Sequence, residues 1–209
     1  MGKILVIGAR GRAGRAAVDE ARRRGHEVTA VVRTTGDALE LVAGDVTDAG
    51  RIAEVAEGHD AVIAAVYDGG ADPTDFFPKA SRAVVDGLEK VGVSRLIWVG
   101  LASILPTADG TVLMDTPDYP QEYRAFYLAH QTALDTFAAS TLDWVSIAPA
   151  GDFDHANPIR TGTYRIASAD ASGLISYADL AIALLDEYDR PTHHRSAFGV
   201  EQLPTGVEK

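Results

Sequence analysis

The sequence predicts an α/β fold: a doubly wound, mostly parallel sheet with helices on both faces. Three observations predict it. Short apolar runs alternate with helical patterns along the 209 residues. Several of those runs are apolar at consecutive positions, as in strands buried on both faces. A glycine-rich turn joins the first strand to the first helix. The length suits one domain over 1–209, with the residues after about 149 adding a small substrate-side portion.

Each element has its own signal. The first strand is Lys3-Ile4-Leu5-Val6-Ile7, followed by Gly8-Ala9-Arg10-Gly11-Arg12-Ala13-Gly14. A helix over 12–24 ends in three arginines and Gly25, a cationic last turn with a glycine stop. Glu27-Val28-Thr29-Ala30-Val31-Val32 is the second strand, and Arg33 follows it. A third strand is expected over 39–42, ahead of Gly44-Asp45-Val46-Thr47-Asp48, and a helix over 50–57. The fourth strand is Ala61-Val62-Ile63-Ala64-Ala65-Val66. A longer helix over 74–91 carries Phe76 and Phe77 in its first turn, and Arg95-Leu96-Ile97-Trp98-Val99 is the fifth strand.

Residues 101–120 form the longest irregular stretch, with Pro106, Pro117 and Pro120. Loops of that length are more often functional than not. A helix over 121–139, a strand over 143–148 and a loop over 149–161 come next. Ser176, with Asp179 three residues on, caps a helix over 176–188, and 196–200 reads as a last strand. The tail after Pro204 reads as frayed, and Pro149 is open to either peptide isomer.

Composition narrows the function. Nineteen Lys and Arg against 30 Asp and Glu give a net charge of −11, which disfavours nucleic acid and anionic membranes as partners. Many of the cations fall between Lys3 and Arg33, which suits an anionic ligand at that end. The absence of cysteine excludes disulfides, thiolate catalysis and cysteine-ligated metal. No apolar run reaches the length of a membrane span, and a strand starting at Lys3 leaves no space for a leader peptide, so a cytoplasmic location is expected.

The strand–glycine turn–helix order makes a phosphate cradle. Gly8 permits a tight turn, Gly11 lets backbone approach a pyrophosphate, and Gly14 lets helix and sheet pack closely. The helix N-terminus then offers free N–H groups and partial positive charge. The glycines are spaced G-x-x-G-x-x-G rather than G-x-G-x-x-G. A carboxylate at the end of the second strand would accept from the ribose hydroxyls of NAD; Arg33 stands there instead, with Arg10 and Arg12 nearby. Arginine matches phosphate, so NADP(H) is the expected cofactor, although Arg33 also reads as an ordinary solvated arginine. The C-terminal strand ends should gather Gly8 to Gly14, Arg33, Asp45, Ala64 to Tyr67, Gly100 to Ile104, and Pro149, Ala150 and onward to Phe153 into one crevice.

Taken together these segments resemble the atypical short-chain dehydrogenase/reductases. They are most similar to the NAD(P)H-binding flavin-reductase and biliverdin-reductase-B type, related to the NmrA-like proteins. The resemblance also rests on Asp60-Ala61-Val62-Ile63, Leu96-Ile97-Trp98-Val99-Gly100, Asp143-Trp144-Val145-Ser146-Ile147-Ala148-Pro149 and Ile175-Ser176-Tyr177-Ala178-Asp179. It implies a Rossmann fold with Arg33 on the 2′-phosphate, Asp45 and Val46 beside the adenine, and Ala64, Ala65 and Val66 under the ribose. It also implies that Ser103 lies near the nicotinamide and that His130 flanks it. Arg10 replaces the family's usual threonine in the turn. The wider family's Tyr-x-x-x-Lys pair is replaced by Phe126 and His130, and residues 121–139 contain no lysine.

Without that lysine a phenol is a poor proton donor at neutral pH. Hydride transfer to a flavin or quinone, with the proton drawn from solvent, does not need one. The expected activity is therefore NADPH-dependent reduction of a small conjugated acceptor. Ser103, His130 and Tyr123 form the candidate catalytic set, and Phe76, Phe77, Tyr123 and Phe153 are candidates to stack on the acceptor. His130 can donate a proton if it titrates near neutrality. Ser103 also reads as a turn residue, and His130 as a helix-surface histidine. Asp152, Asp154 and His155 match no metal spacing, and no metal is expected. A monomer or homodimer is expected. Two other readings compete: an NmrA-like sensor of NADP(H) without turnover, and a structural subunit whose nucleotide site is a relic.

Overall fold

A computed structural model describes residues 1–35 and 41–203. In chain order it contains β1 (Lys3–Ile7), α1 (Arg12–Arg23), β2 (Glu27–Val32), β3 (Leu41–Ala43), α2 (Ala49–Ala56), β4 (Ala61–Ala64), α3 (Pro73–Val91), β5 (Arg95–Val99), α4 (Arg124–Ala139), β6 (Asp143–Pro149), β7 (Asp152–Phe153), β8 (Arg165–Ala167), β9 (Leu174–Ile175), α5 (Tyr177–Asp189) and β10 (Ser196–Glu201). Two short 3-10 turns, Ala102–Ile104 and Leu113–Asp115, lie between β5 and α4.

Eight strands form one sheet in the order β3-β2-β1-β4-β5-β6-β10-β8. All its pairings are parallel except that of β8 with β10. The doubly wound Rossmann-like fold expected from the sequence is the fold observed. β1 is central: Ile7 stands opposite Val31 of β2 on one side and Ala64 of β4 on the other. The chain steps outward from β1 to β3 and then returns to the far side of β1. The loops after β1 and β4 consequently diverge, and this switch point is where open α/β sheets bind ligands.

The strand period of two builds both cores. Ile4 and Val6 face α1 and α5, whose Ala17, Ala21, Leu180 and Leu184 pack against them. Leu5 and Ile7 face α2, α3 and α4, where Ile52, Phe77, Leu88 and Phe137 are buried. Small residues on α1 let it lie close to the sheet, which brings its N-terminus up to the end of β1.

Helix ends follow their caps. Asp48, Asp72 and Ser176 each accept a backbone N–H from the first turn of their helix. Gly92, at φ 74°, ends α3 in the left-handed conformation. Ser176 accepts from the Asp179 N–H, as its position predicts.

Several expectations need correction. β4 ends at Ala64 rather than at residue 66, and α4 starts at Arg124 rather than at 121. Of the strand expected over 39–42, Leu39 and Glu40 lie outside the described residues, and the observed strand runs on to Ala43. The tail after Pro204 lies outside them too. The long 101–120 segment is folded on itself. Pro106 bridges to Val112, the Leu113 N–H donates to the Leu105 carbonyl at 3.0 Å, and both leucines are buried. Among the described residues no peptide bond is cis, so the bond before Pro149 is trans. No helix among them is long and apolar enough to cross a membrane.

Candidate functional site

A cleft of about 960 Å³ runs along the C-terminal edge of the sheet, over the switch point. Its floor is the turn after β1. The Gly8 and Ala9 N–H groups donate to the Val31 carbonyl at 3.0 and 3.1 Å, and Gly11 N–H donates to the Gly8 carbonyl at 2.9 Å. Gly8 has φ 83°, and a Cβ there would lie 2.1 Å from the Ala65 carbonyl oxygen. A Cβ on Gly14 would lie 2.2 Å from the Gly8 carbonyl oxygen. Both positions therefore require glycine. Gly11 is the N-cap of α1, and no side chain caps that helix. Its first N–H groups are left for a ligand, with the helix dipole behind them. The cradle suits a pyrophosphate.

At one end of the cleft, β2, β3 and the loop after β4 converge. Arg33 forms an ion pair with Asp68. Arg10 donates to the Thr35 carbonyl, and Arg12 Nη1 lies 3.1 Å from His155 Nδ1. Asp45 Oδ1 accepts from the Thr47 N–H at 2.9 Å and from its hydroxyl at 2.8 Å, which fixes the turn that presents Val46.

The other end is aromatic. His130 of α4 has its ring centroid 3.9 Å from that of Phe77 and 4.7 Å from that of Phe126. Tyr67 meets Phe126 edge-on at 5.9 Å and is largely exposed. His130 is buried, and its Nε2 has no hydrogen-bond partner. Burial pushes its pKa down to about 3, so the ring is neutral at physiological pH. Burial thus favours a neutral imidazole over the imidazolium donor expected if the ring titrated near neutrality, and its unpartnered Nε2 is itself covered.

A third wall comes from the segment after β6. Phe153 stacks on Tyr177 at 3.9 Å with planes 16° apart, and the Arg12 guanidinium lies 4.9 Å from the Tyr177 centroid. Fully buried Asp179 fastens this segment from below, accepting from the Thr161 N–H and hydroxyl and from the Gly162 N–H.

A family model described as NAD(P)H-binding matches residues 8–191. The chain belongs to this NAD(P)H-binding family. It is 38% identical to YwnB, an uncharacterized protein of Bacillus subtilis, over 95% of this chain and 97% of YwnB. Two solved structures illustrate how the names of relatives diverge. A Streptococcus pneumoniae protein provisionally named an NADH-flavin reductase has 31% identity and a TM-score of 0.81, covering 97% of this chain and 100% of that one. A Bacteroides thetaiotaomicron protein provisionally named an epimerase has 33% identity and the same TM-score of 0.81, covering 98% and 99%. The resemblance to atypical short-chain dehydrogenase/reductases stands on these matches.

Within this NAD(P)H-binding chain, the residues expected at the site fall into two groups. Gly8, Arg10, Gly11, Arg12, Ala13 and Arg33 line the cleft, as do Asp45, Val46, Ala65, Val66, Gly100 and His130. Phe76, Phe77 and Phe153 line it too. Ala9, Gly14, Ala64, Pro149 and Ala150 do not: Ala9 and Ala64 are core residues, Gly14 packs under Gly8, and Pro149 and Ala150 are tied to Val200 of β10. Ser103 is also away from the walls. It is buried, and its hydroxyl lies 2.8 Å from that of Tyr119. Tyr123 is exposed, just before α4. Sequence reasoning missed Asp68 and Tyr177. Asp68 is one residue beyond the run at the end of β4 that was expected in the crevice, so extending that run would have reached it. Tyr177 follows the Ser176 cap, and nothing in the sequence announces its stack with Phe153.

Proposed function

We propose that this protein is an NADPH-dependent oxidoreductase that passes hydride to a small, flat, conjugated acceptor of the flavin or quinone class. One observation carries the reading: a single cleft joins an uncapped helix N-terminus behind obligatory glycines to an aromatic compartment holding an unpartnered, neutral histidine. The Streptococcus pneumoniae relative's name points the same way. The bound cofactor supplies the hydride.

The chain's own residues do the rest. The α1 N–H groups hold the pyrophosphate, and Arg33 reads the 2′-phosphate. Phe77, Phe126 and Tyr67 confine a flat ring and exclude water from one of its faces. His130 stays neutral and, packed against Phe77 and Phe126, fixes the shape of the compartment rather than changing charge. The acceptor gains one hydride and one proton, and the proton comes from water, since α4 carries no lysine to pair with a phenol. Ser103 is assigned a structural role with Tyr119. The decisive assay follows NADPH oxidation with FMN, FAD and simple quinones, with NADH in parallel. Turnover on any of these acceptors with NADPH favoured supports the reading.

A second reading, a sensor of the NADP(H) redox state, is favoured by the engagement of Ser103 with Tyr119 and the lack of lysine on α4. Firm NADPH binding without turnover on any acceptor would select it.

A further inference from the structure

The Arg33–Asp68 ion pair joins the end of β2 to the loop after β4, across the cleft. Its two members are held differently. The Arg33 side chain is 69% exposed and that of Asp68 21%. Asp68 is fixed by its own loop: Oδ1 accepts the Gly70 N–H at 3.0 Å, which leaves Oδ2 for the guanidinium. The Gly70 N–H and the Arg33 side chain both hold its carboxyl below the usual range. The carboxylate is thus built into the cleft wall, and the flexible arginine comes to it.

Resting on the reading that Arg33 meets the 2′-phosphate, we infer that Asp68 is a specificity-determining residue: it competes with the 2′-phosphate for Arg33 and limits the preference for NADPH over NADH. A phosphate arriving at Arg33 meets a guanidinium that already has an anionic partner. Either it displaces Asp68, losing the existing pair, or it binds beside a like charge. NADH carries no phosphate at that position and leaves the pair intact. Arg10, also in this wall, donates to the Thr35 carbonyl, whereas Arg33 is the cation that Asp68 neutralises. An arginine at the end of β2 therefore reads as a stronger NADP signal in the sequence than it is in the folded chain.

The test is titration of the full-length protein with NADPH and with NADH, read by nucleotide fluorescence at low ionic strength. Asp68→Asn removes the charge while its side-chain oxygen still accepts the Gly70 N–H. Asp68→Ser keeps that acceptor in a smaller residue and guards against a folding artefact of the first variant. The expected result is NADPH binding tighter by about fivefold, with NADH binding changed by less than about twofold. In an Arg33→Ala background the gain should shrink. If the wild type binds both nucleotides and neither variant binds NADPH more tightly, the inference is overturned. A gain of equal size without Arg33 also overturns it, because competition for the arginine would then play no part. If the wild type binds neither nucleotide, the reading of the cleft itself fails.

Discussion

The two ends of the cleft are built on opposite principles. The glycine end is made of backbone: a positive-φ glycine, a second glycine pressed on a carbonyl, and the start of α1, which no side chain caps. Its side chains include the exposed Arg33 and the loop-anchored Asp68 that pairs with it. The aromatic end is made of side chains, and its floor belongs to the core. Phe77 is 1% exposed and packs against His130, so the ring that shapes this end of the cleft also holds α3 to α4. Substitutions should therefore cost affinity at one end and stability at the other.

The largest expected effect tests the aromatic end. Phe77→Ala removes a buried ring and should destabilise the protein by about 3–5 kcal/mol, measured by urea unfolding. If stability holds while acceptor reduction disappears, the two roles are separable and the contrast fails. Next is Gly14→Ala, whose Cβ would sit against the Gly8 carbonyl. It should lower NADPH affinity by about 100-fold through displacement of the turn. Binding within a fewfold of wild type would show that the turn is not the cradle.

Arg33→Ala should weaken NADPH by about tenfold and leave NADH nearly unchanged, read by the same titration. An equal loss for both nucleotides would place Arg33 on the pyrophosphate instead. The smallest effect concerns pH. His130 has a folded-state pKa of about 3, below the usual 6.5, so between those values the unfolded chain binds more protons. The stability from keeping it neutral is complete above about pH 6.5 and is lost as pH falls toward 3. Glu20 and Glu187 follow at lower pH. Burial raises both, but hydrogen bonds from Arg23 and Arg24 to Glu20, and from His193 and Thr192 to Glu187, outweigh it and hold each at about 2. Their contribution is lost between about pH 4.5 and 2. A His130→Leu variant should make the stability curve shallower from about pH 6.5 down to about 3, with the carboxylate contributions of Glu20 and Glu187 still lost below about pH 4.5, as followed by urea midpoints across pH.

This contrast also explains what could be read without coordinates. The turn after β1 was legible because glycine spacing reports backbone geometry directly, and Gly8 and Gly14 have no room for a Cβ. The positions of Arg33 and Ser176 were legible for the same local reason. Asp68 was not, because its pairing with a residue 35 positions away depends on how the β2 and β4 loops meet. The burial of His130 was hidden because α4 is flanked by both α3 and the 101–120 segment, and a helix with neighbours on two sides loses its simple apolar stripe. In that segment Leu101 lines the cleft, while Leu105 and Leu113 join a small cluster with Ala148 and Ala169, a packing that its length and prolines do not reveal. β7, β8 and β9 are too short, at two or three residues, to show any periodicity.

The contact of Gly8 with Ala65 has a consequence for the order in which the protein is made. The first 32 residues, emerging from the ribosome, already contain β1, the turn and β2, yet the wall that closes on Gly8 belongs to residue 65, whose N–H donates to the Ile7 carbonyl. At about 5–20 residues per second, several seconds of translation separate the turn from that wall. His130 is delivered later still. The two ends of the cleft are thus translated in order, the glycine turn first and the aromatic wall last, and the cleft is complete only when β1, β4 and α4 have all been made.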